Sequence, residues 1–229
     1  MRFYILILFF FVMISCNKKE DIRLTTGTYR AELEVQDNQK LPFLFEVKND
    51  TILTIFNAEE RILVDEIVYR KDSIIIQTPV FDGVIKAKLH NNDSLTGFFI
   101  KPSVDRVLPF IATKNKQRFI TKNKAYENIT GNWETVFSPK SESDKYIAKG
   151  IFNQTENKVK GTFRTTTGDY RYLEGVVDGD SLKLSTFDGA HSFLFKAKIK
   201  NGTMDGIFYS DNHWKEPFIA KKIKPINYL

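Results

Sequence analysis

The stretch GTFRTTTGDYRYLEGVVDGDSLKLSTFDGAHSFLFKAKIKNGTMDGIFYS, residues 161–210, contains the pattern that decides the fold. Within it, residues 191–199 alternate between two sides, and the apolar side consists of Phe193, Phe195, Ala197 and Ile199. Leu194 is the exception, because it lies among the polar residues of the other side. A period of two residues is typical of a β-strand that buries one face in a core and exposes the other.

Tight turns separate the strands of this stretch. Three of them have sequences that favour hairpins: Asp178-Gly179, Asp188-Gly189 and Asn201-Gly202. Asp or Asn followed by Gly adopts the positive φ angles of two-residue hairpin loops with little strain. Such short connections make neighbouring strands antiparallel, since a parallel pair needs a crossover of about a dozen residues. The pattern therefore predicts an all-β protein with antiparallel sheets.

An internal repeat divides the chain. Six short segments of the first half match six segments of the second half, in the same order and at nearly constant spacing. The clearest matches pair FDG at 81–83 with FDG at 187–189, and PFIA at 109–112 with PFIA at 217–220. A repeat of this kind indicates tandem copies of one structural unit. The predicted boundaries are a first unit at 27–113, a linker at 114–130, a second unit at 131–223 and a tail at 224–229.

Each unit contains about eight short strands, which is enough to close an up-and-down barrel. The second unit begins with Gly131-Asn132-Trp133, which resembles the Gly-x-Trp that opens lipocalin barrels. The predicted fold class is therefore all-β, with two tandem antiparallel eight-stranded lipocalin-like barrel units. A pair of β-sandwiches or one merged sheet is the alternative. Barrels of this size are either packed solid or hold one small ligand, so the sequence leaves a small hydrophobic ligand open.

The first residues predict export. Residues 1–15 carry Arg2, a short apolar run and a small residue before Cys16, which is the pattern of a signal peptide. The run is shorter than the ~20 residues that span a bilayer, and a buried core helix is the alternative. Residues 13–16 (MISC) resemble the lipobox of bacterial lipoproteins, and Cys16 is the only cysteine in the chain.

The lipobox resemblance implies that Cys16 is the lipid attachment residue and that 16–26 is a tether. We therefore expect a lipid-anchored protein of the bacterial cell envelope, held to the membrane through its N-terminal lipid. Asn17 rather than Asp follows the cysteine, which favours the outer membrane, on its periplasmic or surface side.

A second resemblance concerns the second unit. GTF at 161–163, GDYRYLEG at 168–175 and LSTFDGAH at 184–191 resemble the β-rich region that precedes the thioredoxin-like domain of membrane-anchored TlpA-type thiol–disulfide oxidoreductases. The resemblance implies an accessory role beside a thiol-redox partner in the envelope. The family's redox chemistry needs a Cys-x-x-Cys pair, and this chain has one cysteine, so we expect no enzyme activity. A truncated oxidoreductase is the alternative.

Four residues of the second unit are candidates for ligand or partner binding: Asp169, Arg171, Asp188 and His191. Asp169 and Arg171 can pair across a turn or meet a ligand carboxylate, and His191 can cap its hairpin without any binding role. The three histidines lack metal-ligand spacing, so neither a metal nor a cofactor is predicted. The formal net charge of +6 is spread over strand lysines without a nucleic-acid-binding motif, so nucleic acid is not an expected partner.

These patterns together predict a lipid-anchored, non-catalytic binding or accessory module. A structural or interaction lipoprotein with solid barrels is the alternative.

Overall fold

The computed structural model describes residues 22–79 and 81–223. Cys16, the predicted signal peptide and the predicted tail lie outside the described residues. Two antiparallel sheets make up the fold, as the alternation and the turns predict. None of the helices within 22–79 and 81–223 is long and apolar enough to cross a membrane.

The first sheet, called unit 1, contains nine strands: β1 (Gly27–Glu34), β2 (Lys40–Asn49), β3 (Ile52–Asn57), β4 (Glu60–Val64), β5 (Glu66–Arg70), β6 (Ser73–Gln77), β7 (Val84–Asn91), β8 (Ser94–Lys101) and β9 (Arg106–Lys114). Their spatial order is β4-β3-β2-β1-β9-β8-β7-β6-β5, so the sheet curls into a nearly closed barrel. The opening lies where the chain changes partner at Asp65: β4 pairs with β3, and β5 pairs with β6. The stretch that was expected to form one strand around Asp65 is therefore divided into two strands. The division lies at Asp65 because Asp is disfavoured inside strands.

The second sheet, called unit 2, is a closed eight-stranded barrel. Its strands follow one another around the barrel: β10 (Gly131–Phe137), β11 (Tyr146–Thr155), β12 (Lys158–Arg164), β13 (Leu173–Asp178), β14 (Ser181–Phe187), β15 (Ser192–Lys200), β16 (Thr203–Ser210) and β17 (Trp214–Lys222). β10 pairs with both β11 and β17, which closes the ring and removes the free edges. The prediction of two tandem barrel units is confirmed at the level of the fold.

A pair of small residues recurs in both units and lets two neighbouring strands approach closely. Ala87 faces Gly97 in unit 1, and Ala197 faces Gly206 in unit 2. A Cβ atom added to Gly97 would lie 2.1 Å from the carbonyl oxygen of Lys86, and one on Gly206 would lie 2.6 Å from that of Lys196. Glycine is therefore required at both places by the tight curvature of the barrel wall.

Aromatic side chains fill the interior of unit 2. Trp133, Phe137, Phe163, Phe195 and Phe218 are fully buried and belong to one core cluster. Ring centroids lie 4.9 Å apart for Phe163 and Phe195 and 5.5 Å apart for Phe137 and Phe218. Contacts at these distances correspond to a packed core, so the barrel has the solid character that the sequence left open.

The two units share a core. Phe187, Leu194 and Tyr209 belong to unit 2 but are buried in the core cluster of unit 1. The ring of Phe187 stacks on Phe43 at 4.2 Å and meets Phe99 edge-on at 4.9 Å. Leu194, the exception in the alternation, lies on the outer face of the unit 2 barrel. It is apolar there because unit 1 covers that face.

The segment between the units also packs rather than remaining free. Arg118, in the predicted linker, is 5% exposed. It donates to the carbonyl oxygens of Phe56 in unit 1 and Ser185 in unit 2. Burial, opposed by the charge of Glu174, lowers the pKa of Arg118 to about 10, so the guanidinium stays charged at neutral pH. Leu24, in the segment predicted as a tether, is buried in the core of unit 1.

Candidate functional site

Three of the four candidate residues come together at the junction of the units. Asp188 lies in the turn after β14, and its Oδ2 is 2.9 Å from Nδ1 of His191. The same oxygen is 3.1 Å from Nε of Arg171, which reaches it from the loop before β13. Asp169 faces elsewhere: its Oδ1 accepts the backbone N–H of Arg171 at 2.9 Å, so it shapes that loop.

Unit 1 contributes a fourth residue to this group, which we call the inter-unit cluster: Glu60, Arg171, Asp188 and His191. Nη2 of Arg171 lies 2.6 Å from Oε1 of Glu60 at the start of β4. Nearby, the side chain of Asn57 donates to the carbonyl oxygen of Phe187 at 2.8 Å and accepts its N–H at 3.1 Å. Sequence reasoning missed Glu60 and Asn57, because no periodicity indicates which residues of one unit face the other.

The carboxylate of Asp188 is fully engaged. Its Oδ1 accepts the backbone N–H groups of Ala190 at 2.9 Å and His191 at 2.6 Å. Burial by itself raises the pKa of Asp188, but hydrogen bonds from the His191 ring and from these N–H groups outweigh burial and hold the pKa below its ordinary value. The charged side chain of Asp188 therefore stabilises its own hairpin turn and also contacts Arg171 at the junction of the two units.

A cleft of about 1020 Å³ lies beside the inter-unit cluster, between the β3–β4 turn and the outer wall of unit 2. Its charged lining residues are Glu59, Lys158, Lys160, Asp169 and Arg171. Nζ of Lys160 pairs with Oε1 of Glu59 across the cleft at 2.8 Å. Lys158 is exposed and pairs with no carboxylate among the described residues. We call this space the inter-unit cleft.

A second polar group, which sequence reasoning missed, lies at the same end of the unit 2 barrel, where β11 and β17 begin. Glu216 is 4% exposed at the start of β17. Its Oε1 accepts the hydroxyl of Tyr146 at 2.7 Å, and its Oε2 accepts that of Ser138 at 2.6 Å. The hydroxyl of Tyr146 also bonds that of Tyr170. We call Ser138, Tyr146, Tyr170 and Glu216 the mouth cluster.

The tyrosines of the mouth cluster are held in their neutral form. Burial, with hydrogen bonds to Glu216 and Tyr170, raises the pKa of Tyr146 far above its ordinary value. Burial also raises the pKa of Tyr170 to about 12, although the bond to Tyr146 opposes it. Both side chains therefore act as hydroxyl donors and acceptors at neutral pH.

No group of three or more His, Cys, Asp or Glu side chains within 22–79 and 81–223 has the geometry of a metal site. Comparison with known protein families, with curated proteins and with solved structures gives no match for this chain. The clusters are therefore interpreted from their own geometry.

Proposed function

We propose that this chain is a lipid-anchored, non-catalytic binding module of the cell envelope, and that it binds a carboxylate-bearing partner in the inter-unit cleft. The observation that carries the proposal is the cleft itself, about 1020 Å³ in volume and bordered by Lys158, Lys160 and Arg171. Its volume is about that of an ordinary ligand site. The filled interior of unit 2 directs binding to the outside of the barrels.

The charges of the cleft favour an acidic partner. Lys158, at its edge, pairs with no carboxylate in the part of the chain that the structure describes, and Arg171 is held in place by Glu60 and Asp188 while its side chain stays 40% exposed. A guanidinium fixed by two carboxylates is pre-organised, so a partner's carboxylate would bind with little loss of side-chain entropy. The shared core around Phe187 keeps the two walls of the cleft at a fixed distance.

A labelled hexaglutamate peptide tests the cleft by fluorescence anisotropy. We expect the peptide to bind, and Lys158→Glu to weaken binding by about tenfold or more through the lost attraction and the added repulsion. Lys116→Glu, in the linker, makes the same charge change on a residue that does not line the cleft. Equal weakening by the two variants, or no binding at all, would overturn the proposal.

The anchor has its own test. Cys16→Ala removes the thiol that would carry the lipid, so the protein should move from the membrane fraction to the soluble fraction after cell lysis. A variant that stays with the membrane through a high-salt wash would contradict lipid anchoring at Cys16.

A further inference from the structure

The mouth cluster occupies positions that are apolar in the other unit. The repeat aligns Glu216 with Leu108, since each directly precedes the matching PFIA segment. The registers agree: Leu108 faces Phe99 on β8, and Glu216 faces Phe208 on β16. Leu108 is fully buried in a purely apolar environment, so the fold itself does not require a carboxylate at this place.

A second substitution accompanies the first. Tyr146 faces Phe137, as Leu41 faces Leu33 in unit 1, so a leucine of unit 1 is replaced by a tyrosine in unit 2. Burying a carboxylate costs free energy even when it is hydrogen-bonded, and replacing such a group by an apolar side chain is often neutral or stabilising. Residues that break the local pattern without a gain in packing are typical of functional sites.

The mouth cluster also faces an open space. A cleft of about 600 Å³ is lined by Tyr146 and by the loop 165–170, with no Lys, Arg or His among the lining residues. Thr166 and Thr167 are exposed there. The ring of Tyr170 meets Phe208 nearly edge-on at 4.9 Å, and Tyr170 itself lines the cleft beside Tyr146.

The hydrogen bonds within the mouth cluster indicate which kind of ligand the cleft could bind. Tyr146 donates to Glu216 and therefore accepts from the hydroxyl of Tyr170, whose oxygen keeps a lone pair for a donor from the cleft. Glu216 lies behind the hydroxyls of Ser138 and Tyr146, and Asp169, the carboxylate that lines the cleft, accepts the backbone N–H of Arg171. An anion would find no cation in the lining. A ring that has hydroxyl groups on its edge and an apolar face matches both features.

We propose that the cleft at the mouth of unit 2 binds a neutral carbohydrate ring, with Tyr170 against its face and the Tyr170–Tyr146–Glu216 chain bonded to its hydroxyls. This cleft adjoins the inter-unit cleft, and Asp169 lines both, but Tyr170 and Glu216 do not line the inter-unit cleft, so either proposal can fail without the other.

Saturation-transfer NMR on the purified full chain tests the proposal, with maltose, cellobiose, lactose and N,N′-diacetylchitobiose as neutral probes and with putrescine and inorganic phosphate as charged ones. We expect transfer to at least one sugar and to neither charged probe. Tyr170→Phe keeps the ring but breaks the hydroxyl chain, and Glu216→Gln removes the charge at constant shape. Each substitution should lower the affinity for the sugar by about tenfold, which is the effect of losing one hydrogen bond to a charged group.

Tyr126→Phe is the matched control, because Tyr126 is 73% exposed and lies against Gly179, at the opposite end of the barrel. It should leave sugar binding unchanged. Thermal melts check the folding of each variant, and Tyr146→Phe replaces Glu216→Gln if the latter does not fold. Transfer to none of the sugars, transfer to putrescine or phosphate alone, or sugar binding that is equal in all variants would overturn the proposal.

Discussion

The two barrels follow the same up-and-down order of strands but close their equivalent ends in different ways. We call the end at which β8 meets β9 the mouth of unit 1, and the end at which β16 meets β17 the mouth of unit 2. The mouth of unit 1 has Leu108 as the buried residue at its rim, and Phe187 of the other unit packs over it. The mouth of unit 2 carries Glu216 and is closed by Tyr170 from its own loop.

This difference shows how a duplicated fold can divide its tasks. One mouth is used to join the units, since an aromatic ring of unit 2 completes the core of unit 1. No third unit covers the other mouth within residues 22–79 and 81–223, and polar groups replace the leucines there. The pattern of strands is preserved in both, so the change in role comes from a few side chains at the barrel ends.

The largest effect on stability is expected when the two equivalent residues, Leu108 and Glu216, are each replaced by the other type. Leu108→Glu buries a carboxylate in the apolar core cluster of unit 1, and we expect a loss of more than about 4 kcal/mol in the free energy of unfolding. Glu216→Leu leaves two hydroxyls without an acceptor but removes a buried charge, so its effect should stay within about 2 kcal/mol. Urea denaturation measures both. Similar losses in the two variants would show that the mouths do not differ as described.

Loss of the buried guanidinium in the linker should have the next largest effect. Arg118→Ala removes the hydrogen bonds to Phe56 and Ser185, and we expect a loss of about 2–4 kcal/mol. Lys116→Ala, at an exposed position, should change stability by less than about 0.5 kcal/mol. A variant of Arg118 as stable as the control would mean that the linker does not join the units.

The inter-unit cluster makes the junction sensitive to acid. The pKa of Asp188 is lower in the folded chain than in the unfolded chain, so its contribution is complete above the unfolded pKa of about 4 and is lost as the pH falls through the folded pKa. Asp188→Asn should cost about 1–3 kcal/mol at neutral pH and flatten the decline in stability below pH ~4. Denaturation at several acidic pH values tests this. An equally steep decline in the variant would assign the acid sensitivity to other carboxyls.

The mouth cluster should respond to alkali instead, with a smaller effect. The pKa values of Tyr146 and Tyr170 are raised on folding, so their contribution is present below the ordinary pKa of about 10 and is lost as the pH rises through the folded values. We expect the tyrosinate absorbance that is missing in a Tyr170→Phe variant to develop near pH 12 rather than near pH 10. Absorbance that develops near pH 10 would place the hydroxyl of Tyr170 in water.

Alternation, turn sequences and the repeat were sufficient to predict the two barrels. They did not predict the break at Asp65, because a strand that changes partner keeps its alternation. Leu194 was visible as an exception, but its meaning depends on the outer face of β14 and β15 packing on unit 1. Phe187 gave no such signal, since it stands next to a turn.

The candidate site was only partly predictable. Asp188 and His191 share a turn, and Arg171 follows a loop glycine, so the sequence drew attention to all three. Glu60 comes from the other unit, and its position depends on how the barrels dock. Glu216 and Tyr146 stand at alternating inward positions where polarity is unexpected, and comparison of the repeats position by position is the signal that identifies them.

The most direct test of the shared core is whether Phe187 couples the unfolding of the two barrels. Both tryptophans, Trp133 and Trp214, lie in unit 2, so tryptophan fluorescence reports unit 2 alone while circular dichroism reports both units. In the native chain, urea should produce coincident transitions by the two signals. In Phe187→Ala we predict a loss of about 3–5 kcal/mol, with circular dichroism falling at lower urea than fluorescence because unit 1 opens first. Coincident transitions at an unchanged midpoint in that variant would contradict the shared core.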